Sequence, residues 1–268
     1  MDIKNVEIVP YFRTMIRVVI IGAGRVGYHM AKAVLKAPGL ALAQVYNRSD
    51  FHPLFDALPV SRTRDSNQIA KADVYWITVT DDAISNVAES VSGRDGWVVH
   101  SSGGQPMDIL NFIDKRGVLY PLQSFSWEVK VDMTQIPFCI EATEAEGLEI
   151  LQKIVHALEA QSYNISSDQR NYLHIAAVFA NNFSNHILTR AQSVCREHQI
   201  PFKILFPLLR ETVSKALLLD PEHAQTGPAA RNDTKTIERH EKLLKGSTHL
   251  ELYQLLTKAI QSYYGKKL

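Results

Sequence analysis

The chain has 268 residues, enough for one large domain or two modest ones. A formal net charge of +1 and an ordinary apolar share of 46% favour neither nucleic acid nor a membrane surface as a partner. No run has the length of a membrane span. The two cysteines, Cys139 and Cys195, lie far apart in apolar or helical stretches, which reads as reduced core thiols in a cytoplasmic setting, with no metal pair. The first residues carry Asp2, Lys4 and Glu7 without an apolar signal core, so secretion is not expected. Val6 to Phe12 is either an added strand or part of a tail, and the role of residues 1–15 stays open.

Arg17 to Ile21 is a β-branched run of the kind that forms a buried parallel strand. It ends in Gly22-Ala23-Gly24-Arg25-Val26-Gly27, and a helical pattern follows from Tyr28 to Leu35. In this strand–turn–helix context each glycine has a reason. Gly22 allows the tight turn, Gly24 lets a pyrophosphate approach the backbone, and Gly27 lets helix and strand pack closely. Pro38-Gly39 ends the helix, and Ala41 to Tyr46 is the next strand. Asn47-Arg48-Ser49 then stands where an NAD-binding protein usually places an acid for the ribose 2′-hydroxyl. Arg48 can pair with a 2′-phosphate, Asn47 and Ser49 can donate to it, and Arg25 can assist. A charge-assisted hydrogen bond is worth about 1.5–3 kcal/mol, so NADP(H) is expected to bind roughly ten- to a hundredfold better than NAD(H). Asp50 stands close by and works against that preference, and an exposed polar loop is the alternative.

Residues 51–72 read as a short helix, a short strand and a second helix ending near Ala70. Asp73 to Thr80 is a buried strand whose end, with Val79 and Thr80, belongs over the cofactor. Asp81 or Asp82 is expected to cap a helix from Ala83. Trp97 to His100 is a strand followed by Ser101-Ser102-Gly103-Gly104, small and polar residues at the ligand edge of an open α/β sheet. Ser101 and Ser102 can bind nicotinamide or polarise a substrate, whereas His100 reads as a satisfied buried histidine. Further strands are expected at Val118 to Phe125, Pro137 to Glu141 and Ser162 to Ile165, with a helix from Glu144 to Ala160.

From Ser167 onward only helical periodicity is present. Ser167 or Asp168 is expected to cap a long helix, buried nearly all round, to about His198. Its His174, Asn181, Asn185 and Gln192 share a stripe, with Asn182 to one side. The stripe is either a cleft wall facing the nicotinamide or a seam satisfied by neighbouring helices or a dimer mate. His174 is its one group able to titrate near neutrality, which favours a role in proton transfer. Helices follow from Pro201 to about Leu219, and at about 232–244 and 248–264. Thr226-Gly227-Pro228 through Asp233 either holds an anion through Arg231 or is a cap by Asn232 or Asp233. His240 is expected to be exposed.

The fold class expected is therefore α/β: residues 1–165 form a Rossmann doubly wound, mainly parallel sheet that binds NADP(H). Residues 166–268 form an all-α substrate and dimerisation domain.

At these motifs the N-terminal part resembles the Rossmann domains of pyrroline-5-carboxylate reductase, 6-phosphogluconate dehydrogenase, ketopantoate reductase and prephenate dehydrogenase. The whole chain is most similar to an uncharacterised branch of that superfamily, named for NADP-dependent or deazaflavin-dependent oxidoreductases. His100 to Gly103, Tyr120-Pro121-Leu122-Gln123-Ser124, Leu173-His174 with Asn181-Asn182, and Thr226 through Asp233 carry the resemblance, which spans nearly the whole chain. It implies a homodimer with the active site in an interdomain cleft. The hydroxyacid dehydrogenases' catalytic Lys, four residues before an Asn, is absent, because Ala177 and Val178 stand there. The His-Pro of prephenate dehydrogenases is Tyr120-Pro121, so neither activity carries over, and no residue can be tied to a deazaflavin.

The function expected is hydride transfer between NADP(H) and a small carbonyl, imine or alcohol. His174 would handle the proton, helped by Asn182, with Ser101 and Ser102 polarising the substrate and Arg231 holding a carboxylate. A non-catalytic NADP(H) sensor or partner-binding protein is the competing class.

Overall fold

The computed structural model describes residues 15–264, so the expected Val6 to Phe12 strand lies outside the described residues. The first strand, β1 (Ile16–Ile21), has its last four residues buried. Val18 and Ile20 pack on one face of the sheet and Val19 and Ile21 on the other, the alternation a two-sided sheet demands. Helix α1 (Arg25–Val34) follows and returns the chain to β2 (Leu40–Tyr46), parallel to β1. Two short 3₁₀ turns flank the two-residue β3 (Arg62–Thr63). Next come β4 (Val74–Ile77), a short α2 (Ile84–Ala88), β5 (Trp97–His100), β6 (Arg116–Pro121) and β7 (Pro137–Ala142). Helix α3 (Ala145–Ala157) leads to the edge strand β8 (Gln161–Asn164).

Among the described residues the sheet has eight strands, in the order β3-β2-β1-β4-β5-β6-β7-β8. All pairs from β3 to β6 are parallel, β7 runs antiparallel to β6, and β8 is parallel to β7. Met30, Ala31 and Val34 of α1 and Leu151, Ile154 and Val155 of α3 cover one face, with Trp76 at its centre. Ile84 and Ala88 of α2, with Leu110, cover the other. This is the doubly wound Rossmann α/β fold, and the parallel order brings the C-terminal ends of β1, β2, β4, β5 and β6 to one edge.

The chain divides into two compact units at Ala177 and Val178. The sheet ends at Asn164, yet the first unit continues through α4 (Ser167–Ala177). The physical reason is Arg170, whose side chain is fully buried and paired with Glu141 of β7 at 2.6 Å. The helix is capped one residue earlier than expected. Ser166 accepts from Gln169 N (3.4 Å) while the Gln169 side chain accepts from Ser166 N (3.1 Å), a reciprocal capping box. Ser167 turns instead to Glu141, donating to it at 2.7 Å.

The second unit opens with a π-helical segment, Val178–Phe183, and continues as α5 (Ser184–Glu197), α6 (Phe206–Leu219) and a four-residue α7 (Pro221–Ala224). Helices α8 (Thr234–Leu243) and α9 (Leu250–Tyr264) complete it. Three expectations are corrected here. A π turn closes i to i+5, so a stripe stepped at the α-helical angle is not kept in register through residues 178–183. Nor is the segment buried all round: Phe179 and Phe183 are exposed, as are Asn181, Asn182, Asn185 and Gln192. His240, expected in solvent, is half-buried and bonds through Nδ1 with the Tyr253 hydroxyl at 2.9 Å. Asp233 caps α8 by accepting from Thr236 N at 3.1 Å.

Candidate functional site

The glycine turn is built as its spacing requires. Gly22 has φ +111°, and a Cβ there would meet Val79 Cγ1 at 2.8 Å. A Cβ on Gly27 would overlap the Gly22 carbonyl, so helix and turn touch backbone to backbone. Thr78, a residue the sequence did not single out, donates its hydroxyl to Gly22 O at 2.9 Å and pins the turn to β4. Around Gly24, in contrast, nothing among the described residues lies within 4 Å of the position a Cβ would take. Gly24 is also the N-cap of α1, with no side-chain cap and no acid in the first turn. Free N–H groups, positive dipole and open space coincide there, as an anion requires. Ala23 is buried, Val26 half-buried and Arg25 exposed at the helix start.

The loop after β2 differs from expectation in one role. Asn47 Oδ1 accepts from Ala23 N at 3.1 Å, and its amide donates to Ser49 O, Ser49 Oγ and Asp50 O. Its polar atoms are committed to tying this loop to the glycine turn, which leaves it as a scaffold rather than a donor to a ligand. Arg48 is exposed, with no hydrogen bond or ion pair among the described residues, and Ser49 is exposed beside it. Asp50, the residue that argued against a 2′-phosphate, pairs with Arg64 at 2.6 Å. Arg64 therefore adds a second cation to this corner that sequence reasoning passed over. These residues fit a dinucleotide carrying a pyrophosphate and a ribose 2′-phosphate.

At the ends of β4, β5 and β6 the side chains divide into committed and free groups. Trp76 Nε1 donates to Ser101 Oγ at 2.6 Å, and the Ser101 hydroxyl lies 3.1 Å from Leu119 O, to which it donates. Ser102 Oγ accepts from Gly104 N (3.2 Å) and Gln105 N (3.0 Å), stapling the turn. Ser101 thus has no proton left to polarise a substrate, whereas Ser102 acts as an acceptor in these bonds and donates its own proton in none of them. His100 is buried with Nδ1 accepting from Ser102 N at 3.1 Å, while Nε2 has no partner among the described residues. Burial, with the nearby Arg170 charge, lowers its pKa to about 3, so it stays neutral. Asp81 and Asp82 cap nothing: the N-cap of the 3₁₀ turn is Thr80, exposed like them, and that of α2 is Ala83. The Asp81 carboxylate instead comes within 3.7 Å of the Cβ position of Gly104, and His174 Cδ2 approaches the same point at 3.7 Å.

His174, on α4, is half-buried against Tyr120 of β6. Its Nδ1 lies 3.5 Å from the Tyr120 hydroxyl, and the rings meet edge to face, 6.4 Å apart. Burial raises the Tyr120 pKa, with Cys139 and Asp81 adding to the rise, so the phenol keeps its proton. Arg170 is not available to a substrate: beyond Glu141 it donates to Gln105 O at 2.7 Å and to Ser167 Oγ at 3.1 Å. Asn182 and Arg231 belong to the second unit, where both are exposed. No group of His, Cys, Asp and Glu that could hold a metal occurs among the described residues, and no described helix is long and apolar enough to cross a membrane.

Comparison with known proteins bears on this edge. Residues 136–260 match a family described as a domain of unknown function, DUF2520. A candidate NADP oxidoreductase from Bacteroides fragilis is 32% identical, with 93% of this chain and 99% of that one covered and a TM-score of 0.85. The protein TM1727 of Thermotoga maritima is 20% identical over 93% of this chain and 99% of that one, at a TM-score of 0.71. An imine reductase from Myxococcus stipitatus, solved with NADP⁺, is 16% identical over 92% of this chain and 93% of that one, at a TM-score of 0.67. A search of curated proteins returned no match. With a glycine turn of this build and a relative of that identity over nearly its full length, the chain belongs to the Rossmann-like NAD(P) oxidoreductases.

Proposed function

We propose that the protein is an NADP(H)-dependent oxidoreductase acting on a small carbonyl, imine or alcohol. The observation that carries this reading is the open space at Gly24 beneath an uncapped, acid-free helix start. When bound, the nicotinamide supplies or accepts the hydride. Gly22 to Gly27 and the α1 N-terminus hold the pyrophosphate. Arg48, with Arg64 drawing off the Asp50 charge, favours a 2′-phosphate over a free hydroxyl. Ser49 donates beside it, and Val79 and Thr80 border the cofactor. His174 holds or releases the proton at the reacting carbonyl or imine, and Asp81 supplies a negative charge near it.

Asn182 and Arg231 remain candidates for substrate contact from the helical unit. That unit exposes Leu217, Leu218 and Leu243 and is proposed to pair with a second copy of the chain. The imine reductase among the structural neighbours supports including imines among the substrates to be tried.

The test is a calorimetric titration with NADPH and with NADH, on wild type and Arg48→Ala. NADPH should bind roughly ten- to a hundredfold more tightly than NADH, and Arg48→Ala should remove most of that gap. Equal binding of the two cofactors would overturn the assignment of Arg48, and binding of neither would overturn the cradle. With a cyclic imine or ketone that supports NADPH oxidation, His174→Asn should lower kcat about a hundredfold while NADPH affinity holds.

A further inference from the structure

Gly103 is a glycine for a reason unlike that of the phosphate turn. A Cβ built on it would lie 2.7 Å from His174 Nδ1, 2.7 Å from Tyr120 Cζ and 2.9 Å from Tyr120 Oη. Its φ is not in the left-handed region, so backbone freedom is not what the position demands. The position is bare so that the phenol and the imidazole can come together. The phenol, in turn, has one acceptor in reach among the described residues, His174 Nδ1. A half-buried O–H without an acceptor is costly, which makes the phenol the donor of this pair.

We propose that Tyr120 is the positioning residue for His174. Its hydroxyl donates to Nδ1 and thereby fixes the neutral imidazole in the tautomer with its proton on Nε2. Gly103 provides the aperture in which the two rings meet. The proposal rests on the reading of His174 as the proton-handling group, and it says which nitrogen does the handling. Nε2–H gives its proton to the substrate oxygen or nitrogen as hydride arrives at carbon, and the imidazolate so left, held at Nδ1 by the Tyr120 hydroxyl, takes a proton back from solvent. The 3.5 Å separation is long for a hydrogen bond, as such pairs often are before substrate binds.

The experiment uses the full chain labelled with ¹⁵N-histidine, reading both ring nitrogens in long-range proton–nitrogen spectra at a pH where the rings are neutral. His174 is assigned by the signals that vanish in His174→Asn. In wild type, Nδ1 should show the shift of a bare acceptor nitrogen and Nε2 that of a protonated one. Tyr120→Phe, which keeps the aromatic ring and its edge-to-face packing, should pull the two shifts toward each other as the tautomers mix. Gly103→Ala keeps both groups and wedges them apart, and it should do the same. Turnover in Tyr120→Phe should fall about three- to tenfold in kcat, with KM and NADPH affinity little changed. A wild-type spectrum without a single Nε2–H tautomer, or one unaltered by Tyr120→Phe, overturns the proposal. Full turnover in His174→Asn instead removes His174 from the chemistry and leaves the nitrogen shifts to judge the pairing.

Discussion

The sheet unit and the helical unit treat their apolar residues in opposite ways. In the first, β1, β4 and β5 are buried along nearly their whole length, and helices cover both faces. Among the described residues of the second, the buried apolar side chains are Cys195, Ala229, Ala230 and Ile237, while Leu217, Leu218 and Leu243 are 83%, 81% and 77% exposed. A monomeric surface seldom leaves so many large apolar groups bare unless something covers them. The sheet unit thus buries its apolar residues within itself, whereas the helical unit leaves many of its large ones exposed. The proposed phosphate cradle and the Tyr120–His174 pair lie within the sheet unit.

The largest effect that would sharpen this contrast is at the buried ion pair. Arg170→Ala leaves Glu141 without its cation, and denaturant melts should show a loss of about 3–5 kcal/mol in the transition of the sheet unit. A loss below 1 kcal/mol would mean that the first unit does not depend on α4. Acid gives the next effect. His100 has its pKa lowered from 6.5 to about 3 by burial, so the unfolded chain binds a proton that the folded one refuses. Its stabilising contribution is complete above pH 6.5 and is lost as pH falls toward 3. Going from pH 8 to pH 5 should cost about 2 kcal/mol from this residue alone. The His100 ring resonances should not titrate over that range, and titration near pH 6 would refute the assignment.

On the helical side, Leu217→Asp with Leu218→Asp should halve the mass seen by light scattering and leave the sheet unit's melt unmoved. A monomeric wild type would break the comparison, because the leucines would then have no partner to lose. The smallest effect is Asp233→Ala. It removes the bond from Thr236 N and should loosen only the first turn of the helix, detectable as faster amide exchange at the start of α8.

Much of the sheet was legible in the chain because β-branched runs, turn glycines and strand-end polar residues each act locally. The glycine turn was readable to the individual residue, since backbone contact between Gly22 and Gly27 follows from spacing alone. The site around His174 was less so. Tyr120 sits 54 positions from His174, and the bareness of Gly103 has meaning only once both rings are seen beside it. Ser101 looked like a donor because its neighbours along the chain do not reveal that Trp76 and Leu119 engage it. The π-helical segment Val178–Phe183 carries no Pro or Gly, and its wider turn leaves no mark that an α-helical count would notice.

The order of strands has a consequence for how the chain is made. β1 and β2 pair first, β3 joins beyond β2, β4 is laid on the free side of β1, and then β5, β6, β7 and β8 are each laid on the outer side of the strand before them. At no step must a strand be threaded between two that are already joined, so the sheet can grow in the order in which its segments leave the ribosome. Growth stops at polar Gln161–Asn164 on one side and at two-residue Arg62–Thr63 on the other, edges too short or too hydrophilic to recruit a strand from a neighbouring nascent chain.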